Sequence, residues 1–183
     1  MADGLFYLDT REPFISTDVP VVTLAATAKA LYTPSFFPSL GGQYFSRIGK
    51  KIHIRLFGRM TTGLTPGNGS FNIYYGSGAD AAGVLLMTGT PIALTASQTN
   101  VSFRMECYIH ARSLGSAGSL FCTGTAKFNE AVVVPMMLLP ASAPTVSGAC
   151  DLTAANIISV QFLRSGTTVE TMQIHDMEVT AMN

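Results

Sequence analysis

The sequence predicts an all-β protein, an antiparallel and jelly-roll-like β-sandwich preceded by an extended N-terminal arm. Short segments in which apolar and polar residues alternate recur along the 183 residues, and runs of Gly, Pro, Ser and Asn separate them. No segment shows the apolar spacing of an amphipathic helix of three turns. Many short strands separated by turn-forming residues are typical of a sandwich or a barrel, and we favour the sandwich.

Residues 1–22 are the predicted arm, and residues 23–183 are predicted to form a single domain. The arm has no sustained strand or helix period, and it carries four acidic residues: Asp3, Asp9, Glu12 and Asp18. It is too apolar for a solvated tail, so we expect it to lie on its own domain or on a neighbour. The apolar residues that we expect to make contact there are Leu5, Phe6, Tyr7 and Phe14.

Ten strands are predicted in the domain, and residues 23–33 are interpreted as a further strand although their alanines also permit a helix. The ten segments are 43–47, 50–61, 70–76, 84–88, 91–95, 99–112, 119–130, 132–139, 155–164 and 170–182. The clearest spans 100–112, where every second residue from Val101 to Ala111 is apolar. At about 3.3 Å per residue these thirteen residues span over about 40 Å, so the strand must run the length of the molecule.

Two details of the pairing follow from the same pattern. The alternating segments on either side of Pro66 and Gly67 predict an antiparallel pair joined by a loop, because proline lacks an N–H and glycine permits positive φ. In the last segment the apolar parity changes between Ile174 and Met177, which predicts a β-bulge near His175 and Asp176.

Charge is scarce in this chain. The 22 charged residues are 12% of the sequence, whereas an ordinary soluble domain has about 25%. Polarity comes instead from 20 Thr and 15 Ser, which are buried at a protein contact at lower cost than ions. We therefore expect obligate assembly in preference to a weakly charged monomer.

Several partners and compartments are not expected. The 11 basic and 11 acidic residues create no net field toward nucleic acid. No apolar run approaches the roughly 20 residues of a membrane span. The N-terminal residues lack a basic region followed by an apolar run, so synthesis in the cytosol is expected. Cys107, Cys122 and Cys150 are odd in number and have no metal-finger spacing, so we expect them to be reduced and buried.

No set of residues indicates catalysis, a cofactor or a metal, and we predict that the protein is not an enzyme. His175, Asp176 and Glu178 would converge on a metal only if the bulge turned them to one face. The sequence has no G-x-S-x-G elbow, and Cys107 shares the dry face of its strand. Nothing places two carboxylates together for sugar hydrolysis.

The distribution of charge suggests a contact surface. No acidic residue occurs between Val19 and Ala79, whereas basic residues are frequent there, and Arg55 and Arg59 point away from the dry face of segment 50–61. Such a basic strand is suited to receive the acidic arm of the same or another chain, although a solvated basic face fits the pattern equally well. Arg55 and Arg59 are therefore predicted partner contacts beside those of the arm.

Residues 41–45 (GGQYF), 48–60 (IGKKIHIRLFGRM) and 65–76 (TPGNGSFNIYYG) resemble small structural proteins of tailed bacteriophages. The resemblance lies in a GK-x-I-x-I-x-x-x-G-x-x-T strand and a TPG turn. It implies a head decoration (cement) protein or another minor capsid protein, often of jelly-roll type and often trimeric, without catalytic residues. It further implies a homo-oligomer, with a trimer favoured, that binds the major capsid protein in a virion assembled in the host cytoplasm.

Two other functions remain open from the sequence. One is a receptor- or carbohydrate-binding module on a tail or fibre, in which Tyr74, Tyr75 and Tyr108 would supply stacking surfaces. Tyrosines in a sheet more often pack across strands. The other is a virion-associated hydrolase, for which the sequence offers no catalytic set.

Overall fold

The computed structural model describes residues 11–15, 19–32, 39–76, 79–129, 135–143 and 145–182, with 11–15 and Ser39 described by their backbone alone. Within these ranges the chain forms thirteen strands and no helix. The described residues therefore contain no helix long and apolar enough to span a membrane. In chain order the strands are β1 (Arg11–Ile15), β2 (Val22–Thr23), β3 (Lys29–Ala30), β4 (Ser39–Leu40), β5 (Lys51–Thr61), β6 (Asn68–Gly76), β7 (Val84–Thr88), β8 (Ile92–Ala93), β9 (Val101–Ser113), β10 (Ser119–Phe128), β11 (Met136–Leu139), β12 (Asn156–Arg164) and β13 (Thr171–Met182).

The strands form two antiparallel sheets that pack face to face, which confirms the predicted β-sandwich. Sheet A has the order β1, β13, β5, β9, β10, β11, and β2 also pairs with β13. Sheet B has the order β3, β12, β6, β7, with β4 paired to β12 and β8 to β6. Because β5 pairs with β13 in one sheet while β6 pairs with β12 in the other, early and late strands wrap together in a jelly-roll-like manner.

The core lies between the sheets and is centred on four phenylalanines. Phe71 and Phe162 come from sheet B, Phe103 and Phe128 come from sheet A, and each ring contacts at least two of the others. All four are at most 3% exposed. Aromatic pairs of this kind add about 0.5–1.5 kcal/mol each beyond the area they bury, so this cluster stabilises the contact between the two sheets.

The antiparallel pair predicted around Pro66 is wrong. β5 pairs with β13 and β9 in sheet A, whereas β6 pairs with β12, β7 and β8 in sheet B. The segment between them therefore crosses from one sheet to the other instead of closing a hairpin. Alternation alone cannot distinguish a hairpin from a crossing between sheets, because both put one apolar face toward the core.

Three other predicted strands differ from the structure. Residues 43–47 form turns, because Gln43 has a φ of 62° and the Tyr44 N–H donates to the Gly41 carbonyl at 3.0 Å. Residues 23–33 cross from sheet A to sheet B and pair only at their ends, as β2 and β3. Segment 91–95 is reduced to the two-residue strand β8. The predicted strand 132–139 is present as β11 over residues 136–139, and its residues 132–134 lie outside the described residues.

The long strand and the bulge are confirmed. In β9 all six residues of the predicted dry face, from Val101 to Ala111, are buried. The register between β13 and β5 shifts between Ile174 and Asp176, as the change of parity predicted. Gly58 of β5 lies directly opposite Ile174, and a Cβ there would be 2.2 Å from the Gln173 carbonyl oxygen, so only glycine fits beside the bulge without movement of the backbone.

Part of the predicted arm belongs to sheet A of its own chain. β1 runs antiparallel to β13, with Arg11 opposite Thr180 and Ile15 opposite Met177. β2 pairs with the other end of β13, where Met172 is opposite Val22. Of the two alternatives for the arm, residues 11–15 and 22–23 therefore take the first and lie on their own domain.

Candidate functional site

The outer face of sheet A carries a connected group of charged and aromatic side chains. Alternation along β5 and β9 turns His53 and Arg55 outward beside Tyr108 and Glu106, which are their direct neighbours in the register. Their inward neighbours, such as Ile54 and Cys107, are fully buried. The dry and polar faces predicted from the sequence are thus present.

Glu106 is the centre of this group. Its Oε1 is 2.8 Å from His53 Nε2 and accepts a hydrogen bond from the Tyr108 hydroxyl at 3.3 Å, and its Oε2 accepts one from Arg104 Nη2 at 2.7 Å. Burial acts to raise the pKa of Glu106, but the hydrogen bond and charge of His53 and the charge of Arg104 outweigh it, so the pKa lies below its ordinary value. The carboxylate is held ionised and is fully engaged.

Aromatic rings separate the charged groups. The rings of His53 and Tyr108 stack at 4.4 Å with an interplanar angle of 9°. Phe57 lies between two guanidinium groups, with Arg55 Cζ and Arg104 Cζ each 5.5 Å from its ring centroid. Such contacts attract the guanidinium groups to the ring and favour particular rotamers of the two arginines.

Arg55 and Arg59, the predicted contact residues of the basic strand, both bind residues of β13. Arg55 Nη1 donates to Glu178 Oε2 at 3.1 Å, and 28% of the Arg55 side chain is exposed. Arg59 donates two hydrogen bonds to Gln173 Oε1, at 3.0 and 2.7 Å. The carboxylate that faces Arg55 therefore belongs to β13, which lies between the basic strand and β1. Their role in binding a partner stays a prediction.

Of the predicted contact residues of the arm, the structure describes only the backbone of Phe14. Leu5, Phe6 and Tyr7 lie outside the described residues. Phe14 is part of β1, and its side chain also lies outside the description. Their contribution stays a prediction.

The three cysteines and the three histidines, the candidates for a thiol nucleophile and for a metal site, all lie in the described part of the chain. Over the described ranges no group of three or more His, Cys, Asp and Glu side chains is placed to hold a metal ion. The three cysteines are free and buried, as predicted. Burial, followed by the neighbouring Cys107, raises the pKa of the Cys122 thiol, and burial also raises that of Cys150. Both side chains are therefore held as neutral thiols.

The tyrosines proposed as stacking surfaces are not equivalent in the structure. Tyr75 is 4% exposed and belongs to the core. Tyr108 is partly exposed but already stacks on His53. Only Tyr74 and one face of Tyr108 remain for a ligand, on different sheets, so the three do not form one surface.

An apolar surface that the sequence did not predict lies along the edge of sheet A beyond β10. We call Met136, Leu138 and Val146 the apolar rim. Their exposed fractions are 52%, 54% and 51%. Met136 and Leu138 lie opposite Lys127 and Thr125 of β10, and Val146 bridges to Phe121. The four-residue run Met136–Leu139 is apolar throughout, so alternation could not reveal which pair is exposed.

A shallow depression of about 110 Å³ separates the apolar rim from the charged group. It is lined by Arg104, Glu106, Thr125 and Lys127. The outer face of sheet A thus changes from charged and hydrogen-bonded over β5 and β9 to mostly neutral and apolar over β10 and β11, where Lys127 is the charged residue.

Comparisons with known proteins do not assign the chain to a family. No family model and no curated protein matches it. Among solved structures it is similar to an alginate lyase in complex with alginate trisaccharide, with 8% identity and a TM-score of 0.31 over 92% of this chain and 100% of the other. It is also similar to the binding domain of botulinum neurotoxin serotype C1, with 11% identity and a TM-score of 0.26 over 90% of this chain and 44% of the other. Likenesses this weak carry no argument about function.

Proposed function

We propose that this chain is a virion structural protein, a capsid decoration or cement protein that self-associates and stabilises a phage head by protein–protein contacts. Its partners are further copies of itself, with a trimer favoured, and the major capsid protein. Its action consists of burying surface between shell subunits and requires no chemical step.

The apolar rim is the observation that carries this proposal. Edges of sheets are commonly protected by charged side chains, because an exposed apolar edge invites association. Here Lys127 is the cation of β10 that faces the rim, and three large apolar side chains are about half exposed beside it. The backbone of the edge is partly covered, since the Thr90 N–H donates to the Leu138 carbonyl at 2.9 Å. Association is therefore expected through side chains of the outer face and not through an added strand.

The low charge of the chain supports the same conclusion. A surface with few ions loses little solvation when a partner covers it. Stable interfaces bury about 1,200–2,000 Å², and a closed ring of identical copies repeats each contact, so moderate contacts add up to firm binding to a shell.

The test compares heads assembled without this protein to the same heads after the purified protein is added. Wild-type protein should bind, raise the temperature at which heads release their contents, and give density on the shell in electron cryomicroscopy. Met136→Lys/Leu138→Lys should fold but not bind. Leu64→Lys/Val169→Lys is the matched control, because those residues are equally apolar and exposed, at 76% and 67%, but lie in loops outside the rim. Wild-type protein that neither binds heads nor changes their stability would overturn the proposal.

A further inference from the structure

A second surface, at one end of sheet A, collects cations that form no ion pair with the carboxylates of the described residues. Four basic residues lie where the turn before β5 packs against the end of β9, and we call them the cationic corner: Arg47, Lys50, Lys51 and Arg112. The Lys50 N–H donates to the Arg47 carbonyl at 3.3 Å, and the Ala111 N–H donates to the Lys50 carbonyl at 3.0 Å. These backbone bonds hold the turn and the strand end together.

The ion pairs formed within the described ranges use other basic residues, namely Lys29, His53, Arg55, Arg104 and Arg164. None of them uses a side chain of the cationic corner. Two of the four cations are instead held over aromatic rings: Lys50 Nζ is 4.3 Å from the ring centroid of Tyr44, and Arg112 Cζ is 4.6 Å from that of Phe121. These two charges are thus held over rings, and no carboxylate of the described residues neutralises them.

Burial and neighbouring positive charges act in the same direction on two side chains of this region, Lys50 and His110. Burial and then the charge of Arg47 lower the pKa of Lys50. Burial, followed by the charges of Lys51 and Arg112, lowers the pKa of His110, which lies opposite Lys51 in the register. An anion placed here would relieve this repulsion, so the corner is suited to a segment that carries carboxylates.

The N-terminal segment of the chain has the matching chemistry. Residues 1–10 contain Asp3 and Asp9 and no basic side chain, together with several aromatic and aliphatic residues. β1 begins at Arg11 opposite Thr180, and two residues later β13 ends with Met182 opposite Lys51. β1 therefore begins at the end of sheet A that holds the cationic corner.

The reach of the segment is sufficient for a neighbouring copy. β1 and β5 are two strand spacings apart, about 10 Å, and ten residues extend to at most about 33 Å. A segment that leaves β1 along the strand axis passes beyond the end of its own sheet, where a neighbour in a ring would present its surface. Each copy in such a ring gives one segment and receives another, which is the heterologous contact of a closed oligomer.

We propose that the cationic corner binds the acidic segment 1–10 of a neighbouring copy and so links subunits of the oligomer. This inference rests on the self-association proposed above and specifies one of its contacts. Two ion pairs at a wet surface contribute modestly, but each is repeated at every subunit contact.

The experiment uses the full chain and two charge-reversed variants. In Asp3→Lys/Asp9→Lys the N-terminal segment can no longer bind the cationic corner of a neighbour. In Arg47→Glu/Lys50→Glu the cationic corner can no longer bind the N-terminal segment of a neighbour. Each variant alone should associate at least about tenfold more weakly than wild type in sedimentation velocity. An equimolar mixture of the two should form mixed dimers, because one partner keeps an intact corner and the other an intact segment. The chain that carries all four substitutions should again self-associate.

Controls separate the possible failures. Ala96→Glu/Thr99→Glu adds negative charge at the opposite end of sheet A, where the Asn100 N–H bonds to Thr61, and should leave association unchanged. If wild type stays monomeric at every concentration, the proposed self-association itself fails. If wild type associates but both reversed variants associate equally well, only the contact proposed here is wrong. If each variant is impaired and the mixture gains nothing, the segment binds its own corner and the intersubunit contact is overturned.

Discussion

Glu170 forms a buried ion pair that should contribute more to stability than its surface counterparts. Its side chain is fully buried, and 13% of the Arg164 side chain is exposed. Arg164 Nε lies 2.8 Å from Glu170 Oε2, while the guanidinium also donates to the Leu24 carbonyl, and the Thr168 hydroxyl donates to Glu170 Oε1. The pair thus joins the start of β13 to the end of β12 and to the residue after β2.

Glu170→Gln removes the charge and keeps the size, but it replaces one of the two acceptor oxygens with an NH2 donor. It leaves a nearly buried guanidinium without its counter-ion, and removing one partner of a buried pair costs about 3–5 kcal/mol. Because glutamine can still accept from the Thr168 hydroxyl, we expect the lower end, about 3 kcal/mol. For a chain of this size each kcal/mol shifts the melting temperature by about 2–4 °C, so the loss should be about 6–12 °C.

The assay is urea unfolding followed by circular dichroism, with Asp80→Asn as the control. Asp80 pairs with Lys29 at 2.6 Å, but its side chain is 43% exposed, and a pair of that kind contributes about 0–1 kcal/mol. The double variant Arg164→Met/Glu170→Leu should be destabilised less than the sum of the two single variants, since it leaves no unpaired charge. If Glu170→Gln costs no more than Asp80→Asn, burial does not govern the strength of this pair and the reasoning is refuted.

Two further predictions concern sheet A. Gly58→Ala should cost at least about 3 kcal/mol in the same unfolding assay, because its Cβ would be 2.2 Å from the Gln173 carbonyl oxygen, whereas Gly41→Ala, whose Cβ meets no atom within 4 Å, should be neutral; equal effects would contradict the packing argument. The lowered pKa of Glu106 stabilises the fold fully above its ordinary value of 4.5, and this contribution is lost as the pH falls through the lower folded-state pKa. Melting temperatures measured from pH 7 to pH 3 should therefore fall less steeply for Glu106→Gln than for wild type, and parallel curves would contradict the assigned pKa direction.

Features that depend on local period were predictable from the sequence. β9 and the bulge of β13 follow from the parity of apolar residues, which is read within a dozen positions. The partner of each strand is a property of the whole fold, and for that reason the crossing between β5 and β6 was mistaken for a hairpin. The strand predicted over residues 23–33 was too long, because alternation does not show that only Thr23, in β2, and Lys29–Ala30, in β3, pair with neighbouring strands.

The same distinction holds for the candidate site. That Arg55 and Arg59 face outward follows from alternation in β5. Their partners Glu178 and Gln173 are 123 and 114 residues away in the chain, so the sequence pattern around the arginines could not identify them. The apolar rim was hidden because Met136 and Leu138 alternate with equally apolar residues that are buried. Sequence patterns identified the faces but not the contacts between distant strands.

The position of β13 also has a consequence for how the chain acquires its shape. It is the last strand in order, yet it occupies an interior place in sheet A, with β1 on one side and β5 on the other. Until Thr171–Met182 are in place, the backbone N–H and C=O groups along one edge of β5 are unpaired, beside the apolar side chains of β5 that are buried in the folded protein. Nascent or shortened chains that lack this strand should therefore be prone to aggregation. Docking of β13 should be the late and slow step of folding, because its partners β1 and β5 are far away in the sequence.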